Sequence, residues 1–254
     1  MESSTATQNL TSIKKPLFMT VPELALANSL YHEKRLNDAR EILVARLKDT
    51  SCADEQLTAA YMLAKVEVAA SNLYEAANVL HNHAALADAC ADHLLLAHFH
   101  ETRGGIFQLI GEREHFDVNA DRALLEYAAA SYHYEQAGDR DVAGCAENNI
   151  GLLLAQLGKS IEAREHLERA RKLFSGSVVK LAEVDHTEAE IYLLEGNYFD
   201  ALRLASKAMS VFTACDELRL IAVCWPTLHK AGAYHHRASL RDRDGEVEFD
   251  ALYG

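Results

Sequence analysis

A short pattern recurs along this 254-residue chain: a tight turn, then a polar or acidic residue, then an alanine. The clearest copies end in the pairs Asp38-Ala39, Glu75-Ala76, Glu162-Ala163 and Asp200-Ala201. A period of a few tens of residues is typical of stacked supersecondary units, which bury their apolar faces only against their neighbours. The pattern therefore predicts a repeat array.

The composition predicts that the repeating unit is helical. The chain is 49% hydrophobic, has only 3 Pro and 12 Gly, and is rich in Ala, Leu and Glu. These three residues lose little conformational freedom on entering a helix, whereas Pro and Gly are unfavourable inside one. We therefore expect an all-α protein.

The charge of the chain argues against nucleic acid as a direct partner. The formal net charge is −13, and phosphate binding needs a concentration of Lys and Arg. An acidic membrane surface is disfavoured for the same reason. The sequence has no run of about 20 apolar residues and no basic segment followed by an apolar one at its start, so we expect a cytoplasmic protein.

Apolar residues at helical spacing predict one repeat domain over residues 21–240. Its predicted helix pairs span residues 21–50, 53–88, 92–137, 141–175 and 178–214, followed by a partial unit at 217–240. A polar insert, Glu112–Asn119, delays the second helix of the third pair to about Asp121. Pro226 is expected to interrupt the helix of the partial unit. We expect residues 1–20 to be a flexible leader and residues 241–254 a flexible acidic tail.

The fourth unit resembles a tetratricopeptide repeat. The positions that carry the likeness are Gly151, Leu154, Gly158, Ala163, Leu167 and Ala170. The other units match less completely, and their spacing is somewhat above the roughly 34 residues of the minimal repeat. The resemblance implies a right-handed superhelical array of antiparallel helix pairs, an α-solenoid. The chain is similar to the bacterial regulatory and signalling members of this family.

The resemblance also implies a concave groove, lined by the first helix of each pair, that binds a peptide or a protein. Carrying the inward-facing positions onto this sequence gives Asn28, Tyr31, Tyr61, Lys65, His98, Glu101, Gln108, Asn148, Asn149, Leu152, Gln156, His186 and Glu190. Asn148 and Asn149 lie where the family often places an asparagine that grips a peptide backbone. The paired Lys and Arg residues of the carboxylate-binding members are missing. With Glu101, Glu183 and Glu190 nearby, a neutral or basic peptide is expected.

Two residue types could indicate other chemistry. The five cysteines are scattered and lack a Cys-x-x-Cys pair, so we interpret them as small buried side chains. Several of the 13 histidines lie between residues 81 and 100, but neighbours such as His81 and His83 point to different helix faces. Neither a metal nor a cofactor is therefore expected.

Gly104-Gly105 follows no strand and indicates close helix packing, not a phosphate loop.

These observations favour a non-catalytic module for protein or peptide interaction, with a regulatory role. One alternative is a peptide sensor that acts through a separate partner. Another is a helical metal-dependent enzyme that uses the His-rich segment 81–100. The incomplete sixth unit leaves two further possibilities open: self-association through exposed Ile221, Val223 and Trp225, or an irregular cap formed by residues 233–240.

Overall fold

The computed structural model describes residues 16–174 and 176–244, and every regular element in those two stretches is a helix. Twelve α-helices follow a short 3-10 helix at Leu17–Met19, which confirms the all-α class. None of these helices has the length and apolar character needed to cross a membrane. Most of the predicted leader and tail, residues 1–15 and 245–254, lies outside the described residues.

The helices divide into two compact units, with the boundary between Leu95 and Leu96, where the sequence predicted one continuous domain. The first unit contains α1 (Pro22–His32), α2 (Leu36–Asp49), α3 (Ala53–Ala69), α4 (Leu73–Asn82) and α5 (Ala84–Ala89). Helix α2 packs against both α1 and α3, and α3 packs against α4 and α5. The short α5 was not predicted. The helix is interrupted at His83, whose Nδ1 lies 2.7 Å from the Val79 carbonyl oxygen.

The second unit repeats one arrangement along the chain. Its helices are α6 (His93–Gly111, in this unit from Leu96), α7 (Phe116–Ala137), α8 (Arg140–Gln156), α9 (Ser160–Leu173), α10 (Val178–Leu194), α11 (Tyr198–Ala214) and α12 (Leu218–Asp244). Consecutive helices pack together, and the first helices α8 and α10 also contact each other, as do α10 and α12. Stacked helix pairs of this kind form an α-solenoid, as the sequence predicted.

The recurring sequence pattern marks the turn inside each helix pair. In four pairs the chain leaves the first helix through a residue in the left-handed region, at Lys34, Ser71, Gly158 and Gly196. The alanines that follow these turns, Ala39, Ala76, Ala163 and Ala201, are all 0% exposed. The left-handed residue reverses the chain, and the small alanine lets the second helix approach the first closely.

Glycines provide the same close approach farther along the helices. A Cβ at Gly104 would lie 2.9 Å from the ring of Tyr127, and one at Gly151 would lie 2.7 Å from the side chain of Leu167. Real Cβ contacts are longer than this, so only glycine allows these rings and branched chains to lie against the helix backbone. The close helix packing that the sequence predicts for Gly104-Gly105 is therefore found at Gly104, whereas a Cβ at Gly105 would make only ordinary contact, 3.7 Å from the Tyr127 hydroxyl.

A buried carboxylate on α8 joins three consecutive helices. Glu147, whose side chain is 2% exposed, accepts a hydrogen bond from Ser131 Oγ of α7 at 2.5 Å. From α9 it has His166 Nδ1 at 2.7 Å and Arg169 Nε at 3.5 Å. Burial opposes ionisation, but the bonds from His166 and Ser131 and the charge of Arg169 hold the pKa of Glu147 below its usual range.

Asp185 occupies the same repeat position on α10 and has the same role. Its carboxylate forms ion pairs with Arg171 Nη2 of α9 at 3.0 Å and with Lys207 Nζ of α11 at 2.7 Å. Each of these first helices is therefore tied by one acid to its own second helix and to the second helix before it. Buried ion pairs fix a register because any shift would leave an uncompensated charge.

Two predictions about helix ends were wrong. The second helix of the third pair begins at Phe116, not near Asp121, because Asn119 donates to the Glu114 and His115 carbonyls and joins the first turn. Helix α12 continues through Pro226 to Asp244, past the predicted limit at residue 240.

Packing on both sides of Pro226 accounts for the continuity of α12. Proline removes one backbone hydrogen bond and costs about 3 kcal/mol inside a helix. Leu220, Cys224, Thr227 and Ala231 are nevertheless all buried on one face of α12. After the proline, Tyr234 stacks on Tyr198 of α11 with ring centroids 4.9 Å apart. Residues 233–240 are helical, so an irregular cap is ruled out.

The two glycines of α6 offer a matched pair of variants. We expect Gly104→Ala to lower the free energy of unfolding by about 1–3 kcal/mol, because its methyl group would overlap the Tyr127 ring. Gly105→Ala should be neutral or stabilising by up to about 1 kcal/mol, since its Cβ would lie 3.7 Å from the Tyr127 hydroxyl and alanine favours the helix. Urea unfolding measures both; equal effects would contradict the packing described for α6 and α7.

We also expect Glu147→Gln to lower the free energy of unfolding by about 1–3 kcal/mol near pH 7. The folded-state pKa is below the usual value of 4.5, so the ionised carboxylate stabilises the protein above that value and this contribution is lost as the pH falls through the folded pKa. The difference from the wild type should therefore shrink in acid. Glu135→Gln, which alters a more exposed partner of Arg169, is the control and should have a smaller effect. If the difference in the free energy of unfolding between Glu147→Gln and the wild type stayed constant from neutral pH into acid, the stabilising role of the ionised Glu147 carboxylate would be contradicted.

Candidate functional site

One side of α8 is half-exposed and has polar residues at successive turns. Cys145, Asn148 and Leu152 are half-buried and Gln156 is exposed, whereas Ala143, Ile150, Leu153 and Leu154 form the buried side. Spacings of three and four residues place Cys145, Asn148, Leu152 and Gln156 on one helix face. We call this stripe, together with Glu101 of α6 and Glu183 and Glu190 of α10, the first-helix face.

Cys145 links the three helices of this face. The charges that act on its thiol are those of Lys180 and Glu183 on α10 and of Glu101 on α6. Burial raises the pKa of Cys145, and the Lys180 ammonium opposes that rise. Lys180 also forms an ion pair with Glu183 at 3.4 Å. The half-buried thiol thus lies among charged neighbours whose effects on its pKa partly oppose that of burial.

Asn148 lies at the centre of the α8 stripe and has an unused acceptor. Its Oδ1 is buried and has no hydrogen-bond partner among the residues that the structure describes. Leaving a buried amide oxygen unpaired costs about 1–3 kcal/mol. The neighbouring Asn149 is half-buried as well. The oxygen itself has almost no accessible surface, so a donor from another molecule would reach it only after the half-buried amide turned outward.

Tyrosines of α7 hold the polar residues of α6 in place. The Tyr134 hydroxyl donates to Glu101 Oε2 at 2.7 Å and lies 2.9 Å from His98 Nδ1. The Tyr127 hydroxyl donates to Gln108 Oε1 at 3.0 Å, and burial raises the pKa of Tyr127. The predicted residues of α6 are therefore oriented by the fold.

At α10 the structure corrects one predicted groove residue. His186 is only 8% exposed and its Nε2 lies 3.1 Å from the Thr227 hydroxyl of α12. The Thr227 hydroxyl in turn donates to Glu190 Oε1 at 3.2 Å. Burial lowers the pKa of His186 and raises that of Glu190. His186 therefore faces α12, because a first helix meets the first helix of the next pair on this side.

The remaining predicted residues lie in the first unit. Tyr61 is 4% exposed and belongs to the core, so its predicted place in a groove was wrong. Tyr31 is half-buried, and its ring lies 6.0 Å from Lys65 Nζ and 5.9 Å from Lys34 Nζ. Asn28 is also half-buried.

The histidines and cysteines are the residues that could carry metal or thiol chemistry. Within residues 16–174 and 176–244, no three His, Cys, Asp or Glu side chains converge as metal ligands would. All five cysteines are free thiols, but only Cys224 is buried; Cys52 and Cys215 are exposed. The prediction of buried cysteines was therefore wrong for Cys52 and Cys215 and right for Cys224, while Cys90 and Cys145 are half-buried.

Sequence reasoning missed Cys145, Lys180 and Thr227. Cys145 could have been found, because it lies at helical spacing from Asn148 and Leu152. Thr227 was hidden by the expectation that Pro226 ends the helix. Lys180 gave no signal, since a lysine in a first helical turn is more often solvated.

Thr227→Val tests the contact between α10 and α12. The change keeps the shape but removes the hydroxyl that joins His186 and Glu190, so we expect a loss of about 1–3 kcal/mol in the free energy of unfolding. Thr213→Val is the control, because Thr213 is exposed and bonds only the Met209 carbonyl of its own helix. Chemical denaturation followed by circular dichroism measures both; equal losses would contradict the role of Thr227.

No protein-family model and no curated protein matches the sequence. Solved structures do match. A signal transduction ATPase with a tetratricopeptide repeat sensor, from Pyrococcus horikoshii, gives a TM-score of 0.68 at 15% identity over 91% of this chain. The chain spans only 37% of the length of that ATPase.

Two further structures are similar over most of their own length. A tetratricopeptide repeat protein from Thermus thermophilus gives a TM-score of 0.58 at 20% identity, over 81% of this chain and 97% of that one. A Rap protein complexed with competence and sporulation factor gives 0.56 at 14% identity, over 87% of this chain and 66% of that one. The chain has the fold of the tetratricopeptide repeat proteins.

Proposed function

We propose that this protein is a non-catalytic interaction module that binds a peptide, or an extended segment of a protein, on the first-helix face of its second unit. The observation that carries the proposal is the unpaired Oδ1 of Asn148. A buried acceptor needs a donor, and the backbone N–H groups of an extended peptide supply donors at regular spacing. A bound peptide would remove the cost of the unpaired oxygen once the half-buried amide turned towards it.

The charges of the face favour a neutral or basic ligand. Glu101, Glu183 and Glu190 are all partly exposed, and Lys180 is already paired with Glu183. An acidic ligand would meet these carboxylates without a free cation among them to compensate. Complementary charge contributes mainly to the choice of partner and to the rate of association.

The first unit contributes a second group of predicted contacts. Asn28, Tyr31 and Lys65 remain proposed partner residues there, and the Tyr31 ring with its two lysines is a surface that could stack on an apolar or anionic group. Tyr61 and His186 are removed from the proposal because both are buried.

A peptide sensor that acts through a separate partner is the second candidate. The repeats of the Pyrococcus ATPase are described as a sensor, and the Rap structure contains competence and sporulation factor. Both likenesses favour ligand recognition over a purely structural role. The regulatory role and the cytoplasmic location remain predictions, and no observation on the described residues favours the metal-dependent enzyme.

Binding of random peptide pools tests the proposal. Three labelled pools of equal length, acidic, neutral and basic, are titrated with the full chain and followed by fluorescence anisotropy. We expect the neutral and basic pools to bind and the acidic pool to bind least. Asn148→Ala should weaken binding about tenfold, which corresponds to roughly 1.4 kcal/mol.

Two controls keep this test specific. Glu183→Gln should weaken binding of the basic pool more than that of the neutral pool. Gln136→Ala, an exposed amide on α7, should leave both affinities unchanged. Preference for the acidic pool, or equal binding by the Asn148 variant and the wild type, would overturn the proposal.

A further inference from the structure

Helix α12 has an exposed face that is apolar and basic. Leu218, Ala222, Trp225 and His229 follow one another along this face at helical spacing. Leu218 is 72% and Trp225 59% exposed; Val223 is 53% exposed but lies on another side of the helix. We call this the outer face of α12. Ile221, which the sequence analysis expected to be exposed with them, packs against the core instead.

Alignment of the repeats identifies what normally covers this face. Helices α8, α10 and α12 begin at Arg140, Val178 and Leu218. Counted from these starts, Ala222, Trp225 and His229 correspond to Gly144, Glu147 and Gly151 of α8, and to Ala182, Asp185 and Ala189 of α10.

In α8 all three of these positions meet the second helix of the same pair or the residue that caps it. Gly144 is packed against Phe174, Glu147 binds His166 and Arg169, and Gly151 is packed against Leu167. In α10, Asp185 binds Lys207, and Ala182 and Ala189 share a core cluster with Ala205 and Ala208 of α11. No helix covers the corresponding face of α12 within the described residues. Its outer face is therefore shaped for a helix.

The charges on α12 are the reverse of those on the earlier first helices. Glu147 and Asp185 are acids that receive cations from the second helices. Between Leu218 and Leu240 there is no Asp or Glu, in a chain of net charge −13. Arg219, Lys230 and Arg237 are exposed and form no ion pair among the described residues. A helix that packs here meets unpaired cations and an apolar stripe.

We propose that the outer face of α12 binds an acidic amphipathic helix of a partner protein, which takes the place of a second helix in the sixth pair. The apolar side of that helix covers Leu218, Ala222 and Trp225, and its carboxylates pair with Arg219 and Lys230 at the edge of the face. A second copy of α12 is a poor occupant because it would set like charges opposite each other. An anionic membrane is disfavoured by the net charge of the protein.

Trp225 is the only tryptophan in the chain, so its fluorescence reports directly on this face. The probe is a synthetic helical peptide with leucines at helical spacing and glutamates on its other positions; the matched peptide has lysine at every glutamate. Added to the full chain, the acidic peptide should shift the Trp225 emission to shorter wavelength and saturate. The lysine peptide should not shift the emission, and added salt should weaken the binding of the acidic peptide.

Charge variants test which residues bind. The double variant Arg219→Glu with Lys230→Glu retains Trp225 and should weaken the binding of the acidic peptide at least tenfold. Arg113→Glu with Lys159→Glu changes two exposed cations elsewhere in the second unit, also without an ion pair in the described chain, and should leave the affinity unchanged. Both pairs are exposed, so circular dichroism should show the same helix content. Asn148→Ala should also bind the acidic peptide normally, which separates this face from the first-helix face.

Four outcomes would overturn the proposal. The first is that the acidic peptide does not shift the Trp225 emission. The second is that the lysine peptide shifts it equally. The third is that anionic phosphatidylserine vesicles shift it but the acidic peptide does not. The fourth is a shift that depends on protein concentration alone and is abolished by the Arg219 and Lys230 variants, which would indicate self-association through α12.

Discussion

The structure depends on the close approach of the two helices of each pair at small residues. An alanine after each turn, and glycines such as Gly104 and Gly151, allow the backbone of one helix to meet large side chains of the other. Once the helices are this close, the buried acids Glu147 and Asp185 lie within reach of cations on the flanking helices. The small residues set the distance and the ion pairs set the register.

Helix pairs and their turns were predictable because they depend on local chemistry. The left-handed residues at Gly158 and Gly196 and the alanines that follow them have sequence signals that do not need a partner. Helix α12 was not predictable in the same way. Pro226 is a strong local signal to end a helix, and packing of Cys224, Thr227 and Ala231 overrides it. Tertiary burial of this kind cannot be read from a window of residues around the proline.

The candidate site was predicted in outline and corrected in detail. Family positions located Glu101, Asn148 and Glu190 on half-exposed faces, but the same reasoning included Tyr61 and His186, which the structure buries. Spacing alone states which residues share a helix face; it does not state which neighbouring helix covers that face. Thr227 approaches His186 only because α12 continues through the proline.

One change in the repeat distinguishes the outer face of the last helix from the same face of the earlier first helices. The position held by Glu147 in α8 and by Asp185 in α10 is held by Trp225 in α12. An acid there needs a second helix that supplies cations, whereas an exposed tryptophan with basic neighbours needs one that supplies acids and apolar contact. The inner face of α12 is unchanged by this exchange, since Cys224 and Thr227 still contact α11 and α10. The helix can therefore remain part of the array while its outer face selects a partner of opposite charge.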